Sequence, residues 1–174
     1  FSGNDRYLAL SAANPTNLNQ NIQWIDLVNE RKKGPATIKV INGVETHLYH
    51  PQVNMIESNY DCYAPTVASD GSFIIYHRTL KKNDKTAPKQ LVLYDLSTKT
   101  KTELTNINAH AMFPSLSADD RYVAYVSKDS GQWDIYVYDL WTKLTIPVTN
   151  DKNIEFTPVF ASDNSLYYPR FAQN

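Results

Sequence analysis

The chain has 174 residues, a formal net charge of -1 and 20% charged residues, which leaves no basic footprint for nucleic acid or an anionic membrane surface. Its hydrophobic content of 42% suits a globular chain of one domain or part of one, and twelve tyrosines favour strands over helices. The lone Cys62 excludes an internal disulfide, five glycines exclude a dinucleotide fingerprint, and no apolar run reaches the ~18 residues of a membrane span.

Residues 2–7, Ser2-Gly-Asn-Asp-Arg-Tyr7, form a predicted turn that leads into a strand over Tyr7–Leu10. A polar cluster, Asn14–Asn21, separates it from a second strand, Ile22–Leu27, which carries Asp26 near its end. Ala36–Ile41 reads as the next strand. The surplus after it, residues 42–59, alternates enough to be an extra hairpin, or it holds the true last strand at Val53–Ile56. Tyr63-Ala-Pro-Thr-Val67, Phe73–Tyr76, Lys89–Leu96 and Glu103–Asn106 then follow as four short strands, with a mixed-charge loop at residues 80–88 between the second and third. Ala111–Leu116, Tyr122–Val126, Trp133–Leu140 and Leu144–Val148 repeat that order, with turn clusters at Ser117–Asp120 and Lys128–Gly131. Phe156–Phe160 and Leu166–Tyr168 begin the order a third time.

The repeat is regular. Pro65 and Pro114 stand 49 residues apart, Pro114 and Pro158 44, and Asp95 and Asp139 44. A four-stranded antiparallel unit that recurs every 40–50 residues or so is the signature of a β-propeller blade. The expected blades are residues 1–59, 60–108, 109–152 and an incomplete 153–174, about three and a half in one partial propeller domain. The first blade has its first strand missing or reduced to Phe1. So short an array leaves open blade faces, and further chain or another subunit is expected to complete the ring.

Pro65…Ser69-Asp-Gly71, Pro114…Ser117-Ala-Asp-Asp-Arg-Tyr122 and Pro158…Ser162-Asp-Asn164 resemble the Pro-x-x-Ser-Pro-Asp-Gly core of TolB-type propeller repeats. Asp134-Ile-Tyr-Val-Tyr-Asp-Leu140 resembles that family's third strand, and Leu104-Thr105 and Val148-Thr149 its closing Leu-Thr. One departure is that the Pro before Asp-Gly is Ser or Ala here. The resemblance implies an all-β TolB-like propeller acting as a non-enzymatic protein–protein interaction scaffold in a bacterial envelope, periplasmic or exported. The alternative it implies is a substrate-gating propeller of a larger, prolyl oligopeptidase-like serine peptidase, with the catalytic residues outside these 174. The N-terminus shows no basic segment before an apolar core, so no signal peptide is read in this chain.

The repeated acids read as structure. Asp70, Asp119 and Asp163 lie in first-to-second-strand turns, where a carboxylate caps backbone N–H groups two residues on. Gly71, Asp120 and Asn164 suit a positive φ. Asp26, Asp95 and Asp139 initiate turns after third strands. A ring of carboxylates holding a metal is the rejected alternative, since each acid has its own blade's turn to make.

His47 and His50 lack convincing further ligands, and an odd spacing sends two strand residues to opposite faces. His77 reads as a solvated strand end, Cys62 as a small buried thiol. No nucleophile elbow, zincin motif or phosphate loop occurs, so no catalytic residue, cofactor or metal is expected. The candidates are partner-binding residues at the loops before first strands: Tyr60, Tyr63, His110, Phe113 and Phe156, aromatic anchors beside a loop histidine. Packing between blades is the competing role for Phe113 and Phe156. The partner is expected to be a protein on one rim bearing both the 42–59 and 80–88 insertions, provided Ala36–Ile41 is a fourth strand.

Overall fold

The computed structural model describes residues 2–4, 6–13, 20–27, 37–41, 44–48, 54–56 and 59–172. It is all-β apart from short turns, and its sheets are antiparallel. The first holds β1 (Tyr7–Ala13), β2 (Gln20–Asp26) and β5 (Asn54–Met55) in that spatial order. The strands β3 (Thr37–Ile41) and β4 (Val44–Leu48) form a separate hairpin. Two complete blades follow. One runs β6 (Cys62–Val67), β7 (Phe73–Thr79), β8 (Lys89–Asp95) and β9 (Lys101–Glu103). The other runs β10 (Met112–Leu116), β11 (Tyr122–Ser127), β12 (Asp134–Asp139) and β13 (Thr145–Pro147). Short segments β14 (Ile154–Glu155), β15 (Val159–Phe160), β16 (Leu166–Tyr167) and β17 (Arg170–Phe171) pair β14 with β17 and β15 with β16. They are the two expected strands of the next blade, each broken once.

One alternative that the sequence left open is decided here, in favour of Val53–Ile56, and one expectation is corrected. The fourth strand of the first sheet is β5, with Asn54 opposite Trp24 and Met55 opposite Gln23, and not Ala36–Ile41. Ile41 stands opposite Val44, so β3 closes locally on β4 at small loop-closure cost and leaves the edge of β2 to β5. The excursion therefore leaves β2 at its Asp26 end and rejoins the sheet beside Trp24. Residues 80–88 bridge Thr79 to Lys89 at the opposite end of their blade, because Phe73 pairs with Asp95 at the turn end. The two insertions do not share a rim. Phe1, His50 and much of 42–59 lie outside the described residues.

Alternation builds the core between blades. On β7, Ile74 and Tyr76 face the first sheet and join Ile22, Ile56, Cys62 and Val92. Ile75, one residue on, faces the other way and packs with Leu91, Val123, Tyr125 and Tyr136. On β11, Val126 turns from that cluster to a third one with Met112 and Ile135, on which Leu166 and Tyr168 pack. Central strands buried on both faces read as near-continuous apolar runs, which is why β7 and β11 stand out in the sequence.

The turns behave as the repeat demands. Asn4, Asp70, Asp119 and Asp163 each accept, through Oδ1, the N–H two residues on, at 3.1, 2.8, 3.2 and 2.9 Å. Gly71, Asp120 and Asn164 have φ of 75°, 57° and 64°. The last two also fasten blade to blade: Asp120 accepts the Ser69 N–H of the preceding blade at 2.9 Å, and Asn164 that of Ala118 at 2.9 Å. Asp95 and Asp139 take the N–H groups at Ser97 and Thr98 and at Trp141 and Thr142. These bonds hold the Asp95 carboxyl down to about 2. The Arg121 guanidinium, with the same turn donors, holds Asp139 well below the usual carboxylate range.

Candidate rim pocket and channel wall

Each first strand contains the same irregularity. Pairing of β6 with β7 slips by one residue between Tyr63 and Thr66, and that of β10 with β11 between Met112 and Ser115. The slip recurs between the β14–β17 and β15–β16 pairs. Ala64, Phe113 and Thr157 sit there with φ of 49°, 54° and 41°, and each precedes a proline. Proline brings no N–H to a ladder, so a bulge is where a strand accommodates it. The three bulges meet around a recess of 240 Å³ at which Pro65, Pro114 and Pro158 face one another. It lies among the first strands of three successive blades, the strands that surround the central channel in a propeller.

Phe113 also lines a second cavity, of 230 Å³, with Tyr63, His77, Met112, Thr79, Lys85 and Lys89. Its floor is a ring stack. Tyr63 lies 5.4 Å from His77 with planes 22° apart, and Phe113 meets His77 edge-on at 5.4 Å. His77 is 3% exposed. Burial, with Lys89 adding to it, pushes its imidazole down to about 3, so the ring is neutral at pH 7. Its Nδ1 accepts the Phe113 N–H at 3.3 Å, which assigns the proton to Nε2. The Lys89 ammonium donates to the Lys85 and Ala87 carbonyls at 2.7 and 3.1 Å, and burial lowers its pKa against the opposing pull of Asp84. Lys85 is exposed, and among the described residues its ammonium has no partner.

Asp61 secures this end of the blades. Its Oδ1 accepts the Gln20 N–H at 3.1 Å and its Oδ2 the Asn83 N–H at 2.7 Å, tying the first sheet to the 80–88 loop. The loop is thus pinned at Asn83 and again at Lys89.

The five predicted residues distribute as follows. Tyr63 and Phe113 meet in the pocket. His110 lies behind it in a left-handed turn with φ of 48°, its pKa lowered by burial and then by Lys89 and Lys128. Tyr60 stands apart, with the Arg78 guanidinium 4.7 Å from its ring and its flank against the cluster of Ile22 and Tyr76. Phe156 lies in the next blade, 5.9 Å from Trp133 and 6.4 Å from Phe171.

His77, expected at the surface, is instead the centre of the ring stack. It continues the Phe73–Ile75 alternation onto the inter-blade face, and that count was the signal available in the sequence. Lys85 and Lys89 carry no such signal, since only the folded loop brings them to the rings. Cys62 is buried as expected, 0% exposed. The side chain of His47 is outside the description. Among the described residues no three His, Cys, Asp or Glu side chains cluster to hold a metal, and no helix is long and apolar enough to cross a membrane.

The family model described as the dipeptidyl peptidase IV (DPP IV) N-terminal region matches residues 68–161. A comparison with curated proteins finds no match. Among solved structures, TolB from Acinetobacter baumannii superposes with a TM-score of 0.65 at 16% identity, over 97% of this chain and 36% of that one. A putative TolB from Agrobacterium tumefaciens gives 0.66 at 15% identity, over 91% and 47%. A puromycin-hydrolyzing peptidase from Mycobacterium tuberculosis gives 0.61 at 12%, over 95% and 26%. These likenesses show a shared propeller fold. The chain spans a quarter to a half of the length of these structures.

Proposed function

Since the chain belongs to the dipeptidyl peptidase IV N-terminal region family, a family of propeller domains, we propose that it is a non-catalytic binding module whose rim pocket captures a polypeptide partner. The observation that carries this reading is the Tyr63–His77–Phe113 stack, with its loop of lysines, standing beside the channel wall. Aromatic rings held in place by blades offer apolar area with little ordering cost on binding. The pinned loop presents its cations on the same terms. The TolB-type repeat motifs support a setting in a bacterial envelope or exported assembly, and the partner docks on the rim that carries the 80–88 loop.

A selection from a peptide library anchored by its N-terminus, so that every C-terminus is free, tests the reading. Selected peptides are expected to lose about tenfold in affinity on Tyr63→Ala, roughly the worth of one aromatic anchor. The variant's melting temperature should fall by only a few degrees. Peptides indifferent to Tyr63, or no selection at all, would sink it.

The family match favours a second reading, in which the same pocket admits substrate to a serine peptidase domain carried elsewhere in the polypeptide. The intact mass of the native protein and the sequence adjoining these residues decide it. A Gly-x-Ser-x-Gly motif there would place this propeller on an enzyme.

A further inference from the structure

We infer that the rim pocket is a receptor for the free C-terminal carboxylate of a peptide that ends in an aromatic or large aliphatic residue. The inference rests on the binding-module reading and adds the chemistry of the ligand.

Size comes first. Cavities for whole small molecules span about 300–1,000 Å³, and 230 Å³ is room for one large side chain. The walls suit an apolar one, since the lining is mostly apolar and includes Tyr63, Met112 and Phe113. Charge comes second. Lys85 and Lys89 edge the cavity, and Lys89 spends two of its three N–H donors on the loop's own carbonyls. The nearby acids are committed elsewhere: Asp84 to Lys81 at 3.4 Å and to the Thr86 N–H, Asp61 to the Gln20 and Asn83 N–H groups. Neither pairs with Lys85. Bonds to neutral N–H groups do not cancel these carboxylate charges, and Asp84 pulls on Lys89, so the edge is positive on balance through Lys85, which has no salt-bridge partner among the described residues.

The third observation is His77. Its Nδ1 is occupied by the Phe113 N–H, and among the described residues its Nε2–H has no acceptor. The ring is 3% exposed and lines the cavity, and its Nε2–H is not among the buried atoms left without a partner, so it is open to the cavity and can donate to a ligand oxygen in place of solvent. An oxygen between Nε2 and the lysines would form charge-assisted bonds.

A C-terminal residue satisfies all three at once, because its side chain and its carboxylate leave the same Cα. An internal Asp or Glu must borrow the apolar side chain from a neighbour, which asks the pocket to hold two side chains. Capture of a chain-terminal carboxylate is a known mode of peptide recognition, and here a histidine and two lysines would take the place of a backbone nest.

The test uses fluorescence anisotropy on the full polypeptide, with three labelled peptides. One is Gly-Gly-Ser-Gly-Phe with a free C-terminus, one the same peptide as its C-terminal amide, and one Gly-Gly-Ser-Asp-Phe amide. The free acid is expected to bind at least tenfold tighter than either amide. Lys85→Glu should remove that advantage by weakening the free acid far more than the uncharged amide, and its exposed position keeps the fold intact. Equal binding of acid and amide overturns the inference, as does equal binding of the Asp-containing amide, an equal effect of Lys85→Glu on all three, or no binding by any. The binding-module reading is judged separately, because it requires only that selected peptides depend on Tyr63, whether or not amidation of their C-termini weakens them.

Discussion

A Cβ built on Gly71 would lie 2.0 Å from the Tyr7 ring, and the backbone there has φ of +75°. Gly71→Asp, which copies Asp120 of the next blade, is therefore expected to destabilise by roughly 2–4 kcal/mol through clash and backbone strain. Asp120→Gly keeps the turn and loses only the bonds to Ser69, at a cost of about 1 kcal/mol. Urea midpoints of the two variants check the contrast, and equal values would contradict it.

His77 gives a pH dependence with a definite sign. The folded ring titrates at about 3 and the unfolded one near 6.5. Between those values the unfolded state binds a proton that the folded state does not. Its contribution is complete above pH ~6.5 and declines as pH falls, by about 2 kcal/mol from pH 7 to 5. His110 acts in the same direction. Asp95 and Asp139 lose their contributions only as pH falls below about 4. Unfolding midpoints at pH 7, 6 and 5 should fall for the native chain and fall less for His77→Gln. Asp70, Asp119 and Asp163 were legible as turn caps because their bonds span two residues. His77 was misread because its environment is a neighbouring blade some 36 residues away in sequence.

Among the elements, the repeating strands were legible and their irregularities were not. Alternation located β7, β8, β11 and β12, all long and buried. The bulges are marked in sequence only by a proline, and a proline alone does not say that the residue before it has positive φ. The short β5 could not be chosen over β3, because two-residue pairing carries almost no periodic signal. Between β14 and β17 the fully buried Glu155 accepts from the Arg170 Nε at 2.8 Å and the Thr149 hydroxyl at 3.0 Å. Arg170→Met leaves that carboxylate without its cation and should cost about 2–3 kcal/mol. Adding Glu155→Gln keeps the acceptor for Thr149 and removes the charge, so the double variant should be the more stable of the two in a denaturant titration.

Over the whole molecule, the main contacts between blades join those adjacent in sequence. Stability in such an array is a sum of blade terms and neighbour terms. The two complete blades, with apolar faces covered on both sides, should hold the slowest-exchanging amides, at β7 and β11. The β13 strand, exposed throughout, and the β14–β17 segments should exchange first. Hydrogen exchange resolved by segment checks that order, and uniform protection would argue against it. The blade count of the array followed from the repeat period, whereas the separation of the two insertions onto opposite ends needed the pairing of β5.

The fasteners at the turns bear on how such a protein grows. Asp120 and Asn164 each reach back to one backbone N–H of the blade before, a feature any blade offers regardless of its side chains. A unit that carries its own coupling can be copied by tandem duplication and spliced in without a second change in its neighbour. Gly71 is the exception, since the Tyr7 ring of the preceding blade fills the space that a Cβ there would need. A unit carrying Asp or Asn at that place would not fit behind Tyr7 without a second change, so that joint resists shuffling.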